Sequence, residues 1–183
     1  MVSLVCSSIS IRRINLNLSV KRLYQTLVDQ FHQTAFETIN KASSKLRTYA
    51  LLKTKIGMEE YLTEIRNTPI RKQLSKFRLS NHTLAIEVGR HQGVHDPNLR
   101  HCTFCDEVAE CEIHFLINCP VYSHLRTPIF EEIICSNPTF QYLSDKEKFI
   151  TVMINSRNMN LASFVHKSFE LRNFLVARPK CHD

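Results

Sequence analysis

Four residues within eighteen positions, Cys102, Cys105, His114 and Cys119, follow the pattern C-x2-C-x8-H-x4-C. Three thiolates and one imidazole form a closed four-coordinate set that suits tetrahedral Zn2+ and leaves no open position for a reacting water, so the predicted site is structural. A two-residue gap lets Cys102 and Cys105 reach one ion from a tight turn, after which the chain returns as a helix starting near Glu112 with His114 in its first turn. On an ideal helix of 3.6 residues per turn, Cys119 would lie about 140° around from His114. The helix must therefore end or distort before Cys119, and Pro120 supplies a cause, because proline disfavours α geometry in the residue before it. Cys111, three residues before His114, is the competing thiol for one of these positions. The acids around the set, Asp106, Glu107, Glu110 and Glu112, are read as tuning solubility and the orientation of His114. The cysteine count is seven, which is odd, and four of the seven crowd between Cys102 and Cys119, so metal binding is a better reading than a disulfide framework.

Charge supplies the second chemical signal. Between Lys41 and Arg100 there are twelve Lys/Arg against five Asp/Glu, an excess equal to the whole net charge of +7. His82, His91, His95 and His101 lie in or beside the same stretch. Such a concentration is the electrostatic footprint expected for a phosphate backbone, and equally that of a solvated helix face. The residues assigned to phosphate contact are Arg71, Lys72, Lys76, Arg78 and Arg90, four of them spread around the polar side of one predicted helix.

The elements that must position these groups read as helices. With 43% hydrophobic and 22% charged residues, and only 3 Gly and 6 Pro, the composition is that of an ordered, helix-rich globular chain. The expected fold is mostly α: a helical bundle-like module with a small CCHC knuckle and little or no sheet. Residues 1–18 show no strong period and read as a poorly ordered lead-in with a short strand at Ile9–Leu16. Leu23, Leu27, Phe31, Phe36 and Ile39 then predict a long amphipathic helix capped by Ser19 and ending near Ser43 and Ser44. Further helices are predicted at 46–52, 58–66, 70–79 with Pro69 in its first turn, 146–154 and 161–176, and over 113–135 with breaks at Pro120 and near Pro128. Gly89 to Gly93 reads as a turn and Asn137-Pro138 as a loop. The organisation expected is a lead-in (1–18), a basic helical region (19–100), the metal motif (101–125) and a C-terminal helical region (126–183).

At the metal motif the chain resembles the zinc-binding segment that follows the polymerase domain in reverse transcriptases of non-LTR (LINE-like) retrotransposons. Cys102, Cys105, Glu112, His114, Leu116, Cys119 and Pro120 match that family's run of Cys-x-x-Cys, an acidic stretch, Glu before His, Leu and Cys-Pro. Upstream, residues 45–51, Tyr61-Leu62, 71–82 and 86–91 resemble the helical segment preceding the motif, so the likeness covers roughly residues 40–125. The resemblance implies contact with template RNA or target DNA, with zinc holding the fold. No Tyr-x-Asp-Asp polymerase motif occurs, and no clustered carboxylates suggest a two-metal nuclease, so no enzymatic activity and no small-molecule substrate are expected. A structural or protein-interaction module, a decayed retrotransposon fragment in which zinc ties helical lobes together, is the alternative. No run approaches ~20 apolar residues, and neither a signal peptide nor a membrane span is read, which places the chain in the nucleus or cytoplasm by expectation.

Overall fold

The structure, a computed structural model, describes residues 2–41, 46–53, 57–105 and 108–177. It divides into two units, Met1–Ser44 and Lys45–Asp183. Among its described residues the first holds one helix, α1 (Val2–Asn40). The expected lead-in and the strand at Ile9–Leu16 are replaced by the first half of this helix, and Ser19 lies inside it, not at a cap. The physical reason lies in what the segment lacks: neither Gly nor Pro occurs before Gly57, so nothing breaks the helix even where apolar periodicity is weak. Pairs one turn apart add local support, with Gln25 Nε2 donating to Asp29 at 2.8 Å and Gln33 to Glu37 at 3.2 Å. Leu23, Leu27 and Phe31 recur along one side of α1 and are exposed.

The second unit is helical as expected. It comprises α2 (Arg47–Leu52), α3 (Tyr61–Glu64), α4 (Thr68–Arg78), α5 (Ala85–His91), α6 (Ser123–Ser136), α7 (Asp145–Asn155) and α8 (Asn158–Ala177). Among the described residues the β pairing is a single isolated antiparallel bridge, His101–Ala109. No helix among the described residues is long and apolar enough to cross a membrane. Pro69 stands in the first turn of α4, where Asn67 Oδ1 accepts from the Ile70 N–H at 3.2 Å. A full capping box opens α7: Ser144 Oγ accepts from Glu147 N–H, and Glu147 Oε2 accepts from Ser144 N–H at 2.9 Å. The expected break near Pro128 does not occur. Proline removes only the ladder bond to the His124 carbonyl, and burial of Ile129 and Ile133 on the same helix holds α6 through it.

α4 packs on α8, and α6 packs on both α7 and α8. Their inner faces meet in an aromatic cluster built on Phe77 and Phe115. The Phe77 ring lies 5.4 Å from Phe115 and 6.5 Å from Phe149, and Phe115 lies 4.7 Å from Tyr122 and 4.9 Å from Phe169. These rings are buried, and Phe115 directly follows the predicted ligand His114, so core and metal motif share one short turn.

Gly89 was expected to break a helix and instead lies within α5; the turn begins after His91, where Gly93 adopts φ 78°. Glycine is needed at position 89 for close approach, since a Cβ there would meet Arg100 Cγ at 2.7 Å and Cδ at 2.9 Å. Arg100 cannot easily retreat, because its guanidinium donates to the Ile86 carbonyl at 2.6 Å and the Val94 carbonyl at 2.6–2.9 Å. In an open helix Gly→Ala would stabilise by up to ~1 kcal/mol. Gly89→Ala is expected to destabilise by about 1–3 kcal/mol instead, as an overpacked site does; urea unfolding measures the sign.

Candidate metal centre

The chain enters the centre through a narrow hairpin. Glu110 N–H donates to the Arg100 carbonyl at 2.8 Å and Cys102 N–H to the Val108 carbonyl at 2.8 Å, while Cys105 N–H closes a turn onto the Cys102 carbonyl at 3.3 Å. Asp106 and Glu107 lie outside the described residues. After the hairpin, helical backbone begins at Glu112, as the spacing predicts, and then widens: His114–Asn118 forms a π turn, with Cys119 N–H donating to the His114 carbonyl at 2.7 Å. A π turn takes one more residue than an α turn, so it carries Cys119 further round toward the side of His114. This is the distortion that the separation of about 140° on an α-helix requires. Cys119 leaves the turn with ψ 120°, the extended geometry favoured before Pro120.

The ligand atoms of Cys102, Cys105, His114 and Cys119 all lie within 4.8 Å of one another, so these four residues could hold a metal ion. Cys102, Cys119 and His114 are buried and Cys105 is partly buried. The donor set fits a metal in three respects. The Cys105 and Cys119 sulfurs are 3.8 Å apart, matching the edge of about 3.8 Å in a tetrahedron with metal–sulfur bonds of ~2.3 Å. His114 Nε2 is buried without a hydrogen-bond partner, which is costly unless something else occupies its lone pair. The thiols also share charge unequally. Hydrogen bonding from Cys119, reinforced by His114 and opposed by burial, brings Cys102 down to about 3, while the Cys102 contact and burial push Cys119 far up and burial pushes Cys105 up. Ionising one of these thiols opposes ionising its neighbours, and a metal ion is what would let all three sulfurs ionise together. Cys111 stands outside the four, its Sγ accepting from the His114 backbone N–H at 3.5 Å.

Two acids that the spacing reading assigned to solubility and tuning are buried structural groups. Glu110 is 1% exposed; its Oε1 pairs with Arg172 Nη1 at 2.7 Å and lies 3.9 Å from Cys102 Sγ. Its Oε2 accepts from the Ala85 N–H at 2.6 Å and from Arg172 Nη2 at 2.9 Å. Burial pushes this carboxyl up, and Arg172 with the Ala85 N–H opposes the shift. Glu112 accepts from Arg47 at 2.5 Å and from His82 Nε2 at 3.0 Å; burial would raise it, but these two partners hold it at about 2. Another buried cation, Arg126, donates to the carbonyls of Ile117 and Cys119 and so fixes the end of the π turn.

The residues assigned to phosphate contact separate into two groups. Lys72 and Lys76 are exposed on α4. Arg78 is a correction: it is 7% exposed, pairs with Glu59 at 3.0 Å, donates to the Met153 carbonyl at 3.3 Å and lies over the Tyr61 ring. It faces inward because Tyr61, Glu59 and Met153 surround that side of α4. Arg71 is partly buried and donates to the Ile65 carbonyl at 2.9 Å, and Arg90 pairs with Glu87 at 2.6 Å.

No protein-family model matches the chain, and no curated protein or solved structure matches it.

Proposed function

We propose that this chain is a zinc-stabilised nucleic-acid-binding module without catalytic activity of its own, akin to the zinc-binding region of non-LTR retrotransposon reverse transcriptases. The observation that carries the zinc is the convergence of three sulfurs and an unpartnered imidazole nitrogen in a site with no fifth donor among the described residues. The donors are those of a structural zinc site, and such an ion would tie the hairpin to the π turn and hence to the aromatic core. Cys102, Cys105, His114 and Cys119 would hold it.

Support for a nucleic-acid partner is the basic excess between Lys41 and Arg100, together with exposed Arg66, Lys72 and Lys76, which pair with no acid among the described residues. Contacts of this kind give affinity that falls with salt and little reading of sequence. Fluorescence anisotropy with a 20-nucleotide single strand should show a log–log salt slope of roughly −2 for three phosphate contacts, and the double variant Lys72→Ala/Lys76→Ala should flatten it by more than half. Binding that does not respond to salt would overturn the reading.

One observation favours a structural or protein-interaction module instead. Arg47, Lys53, Arg78 and Arg90 all pair with buried or partly buried glutamates, so part of the basic excess serves the fold itself. A stable protein partner with no affinity for RNA or DNA is the result that would select it.

A further inference from the structure

Between α4 and α8 lies a cleft of about 310 Å3 whose lining includes Gln73, Lys76, Asn81, His82, Phe169 and Asn173, the His82 imidazole being committed to Glu112 at 3.0 Å. No acidic side chain lines it. Among the described residues Lys76 makes no ion pair and the carboxamides of Gln73, Asn81 and Asn173 make no hydrogen bond, Lys76, Asn81 and Asn173 being exposed to solvent. The backbone fixes where two of these side chains start. Ser80 takes a left-handed conformation, φ 50°, and Asn81 N–H closes back onto the Lys76 carbonyl at 2.8 Å, the six-to-one bond of a Schellman turn. That closure sets Asn81 beside Lys76, and a 3.0 Å hydrogen bond from Ser80 Oγ to Thr48 Oγ1 holds the turn in place. The packing of α8 on α4 brings Asn173 and the buried Phe169 ring to the other wall.

Other clefts among the described residues differ in charge or in the commitment of their polar groups. One contains Glu59 and Glu60, a second contains Glu87, and in a third the Asn160 amide is held by Glu132 at 2.6 Å. The α4–α8 cleft combines one unpaired cation, three uncommitted carboxamides and an aromatic floor. A carboxamide offers a donor and an acceptor together, the pairing that matches a base edge, and a lysine supplies the point charge for a phosphate. The volume lies at the small end of ligand-sized sites.

We propose that this cleft takes one nucleotide of a single strand, its phosphate on Lys76 and its base edge on Gln73, Asn81 and Asn173. The proposal rests on the nucleic-acid reading above and adds base discrimination to it. A base edge is accessible in this way only when unpaired, so single strands are preferred to duplex, and RNA and DNA strands of one sequence separate the contribution of the 2′-hydroxyl.

The test uses the full chain with zinc supplied, and fluorescein-labelled oligo(A), oligo(C) and oligo(U) of equal length, their DNA counterparts, and a duplex. The wild type is expected to favour one homopolymer over the others by about 10-fold, and single strand over duplex by a similar factor. Gln73→Ala/Asn173→Ala, at positions outside the core, should erase the difference between homopolymers while retaining salt-dependent binding; Lys76→Ala should weaken all strands alike. If the wild type binds every strand equally, or the double variant keeps the wild-type preference, the cleft is not a base site and the module reading stands without it. If no strand is bound at all, the module reading and the cleft fall together.

Discussion

Purified under reducing conditions, the chain is expected to carry one equivalent of zinc, and Cys102→Ser and Cys119→Ser are each expected to lose it, together with part of the helicity. The extent of the unfolding follows from where the ligands sit. Cys102 and Cys105 belong to a hairpin whose only described β pairing is the bridge His101–Ala109, so it should lose order first when the metal is removed. His114 and Cys119 bracket the π turn, whose Phe115 ring is also held by Tyr122 and Phe169. Apparent free energies for structural zinc run to about 10–16 kcal/mol in the smallest domains, where the metal is nearly the whole fold. Here a buried aromatic core packs beside the site, so a chelator should melt the hairpin and the turn first and leave α4, α6 and α8 partly helical. Elemental analysis gives the stoichiometry and far-ultraviolet circular dichroism during chelation gives the structural loss. Cys111→Ser and Cys135→Ser should retain zinc, since Cys111 stands outside the cluster and Cys135 is exposed on α6. A folded, metal-free wild type would defeat the assignment.

The cluster of four candidate ligands was legible because it is local. Four donors within eighteen positions are constrained by turn and helix geometry alone, and the conflict between His114, Cys119 and Pro120 foretold a distorted helix without specifying a π turn. Distant partnerships left no such trace. Glu110 and Arg172 are 62 residues apart, and Glu112 and Arg47 are 65 apart, so neither acid announces burial through its neighbours in sequence. The same reasoning explains Arg78: a cation on a polar-looking helix face is turned inward by Glu59, nineteen residues earlier. Gly89 and the first half of α1 are the reverse case, in which the local signal points away from the structure. A glycine that reads as punctuation is a packing requirement, and weak periodicity that reads as a poorly ordered lead-in stands where no breaker occurs.

Arg172→Met is expected to destabilise the second unit by about 3–5 kcal/mol, because it leaves Glu110 buried beside Cys102 without its cation. The electrostatics of the centre explain why so much depends on one side chain. With a dication bound, three thiolates leave the site one negative charge in excess, and the Glu110 carboxylate adds a second; Arg126 and Arg172 supply two positive charges, and the buried region becomes neutral. Removing Arg172 breaks that neutrality, so zinc affinity should fall by roughly 10- to 100-fold, the range found when the groups that orient metal ligands are lost. Arg172→Lys restores the charge but not the forked contact with both Glu110 oxygens, and should recover only part of the loss. Adding Glu110→Gln to Arg172→Met removes the stranded carboxylate and should raise stability above that of Arg172→Met alone, whereas Glu110→Gln in the wild-type background should lower it. Urea unfolding of the wild type and the four variants, with and without zinc, measures both quantities. Equal stability of Arg172→Met and wild type would show that the pair contributes nothing, and a further loss in the double variant would show that Glu110 acts through partners other than Arg172.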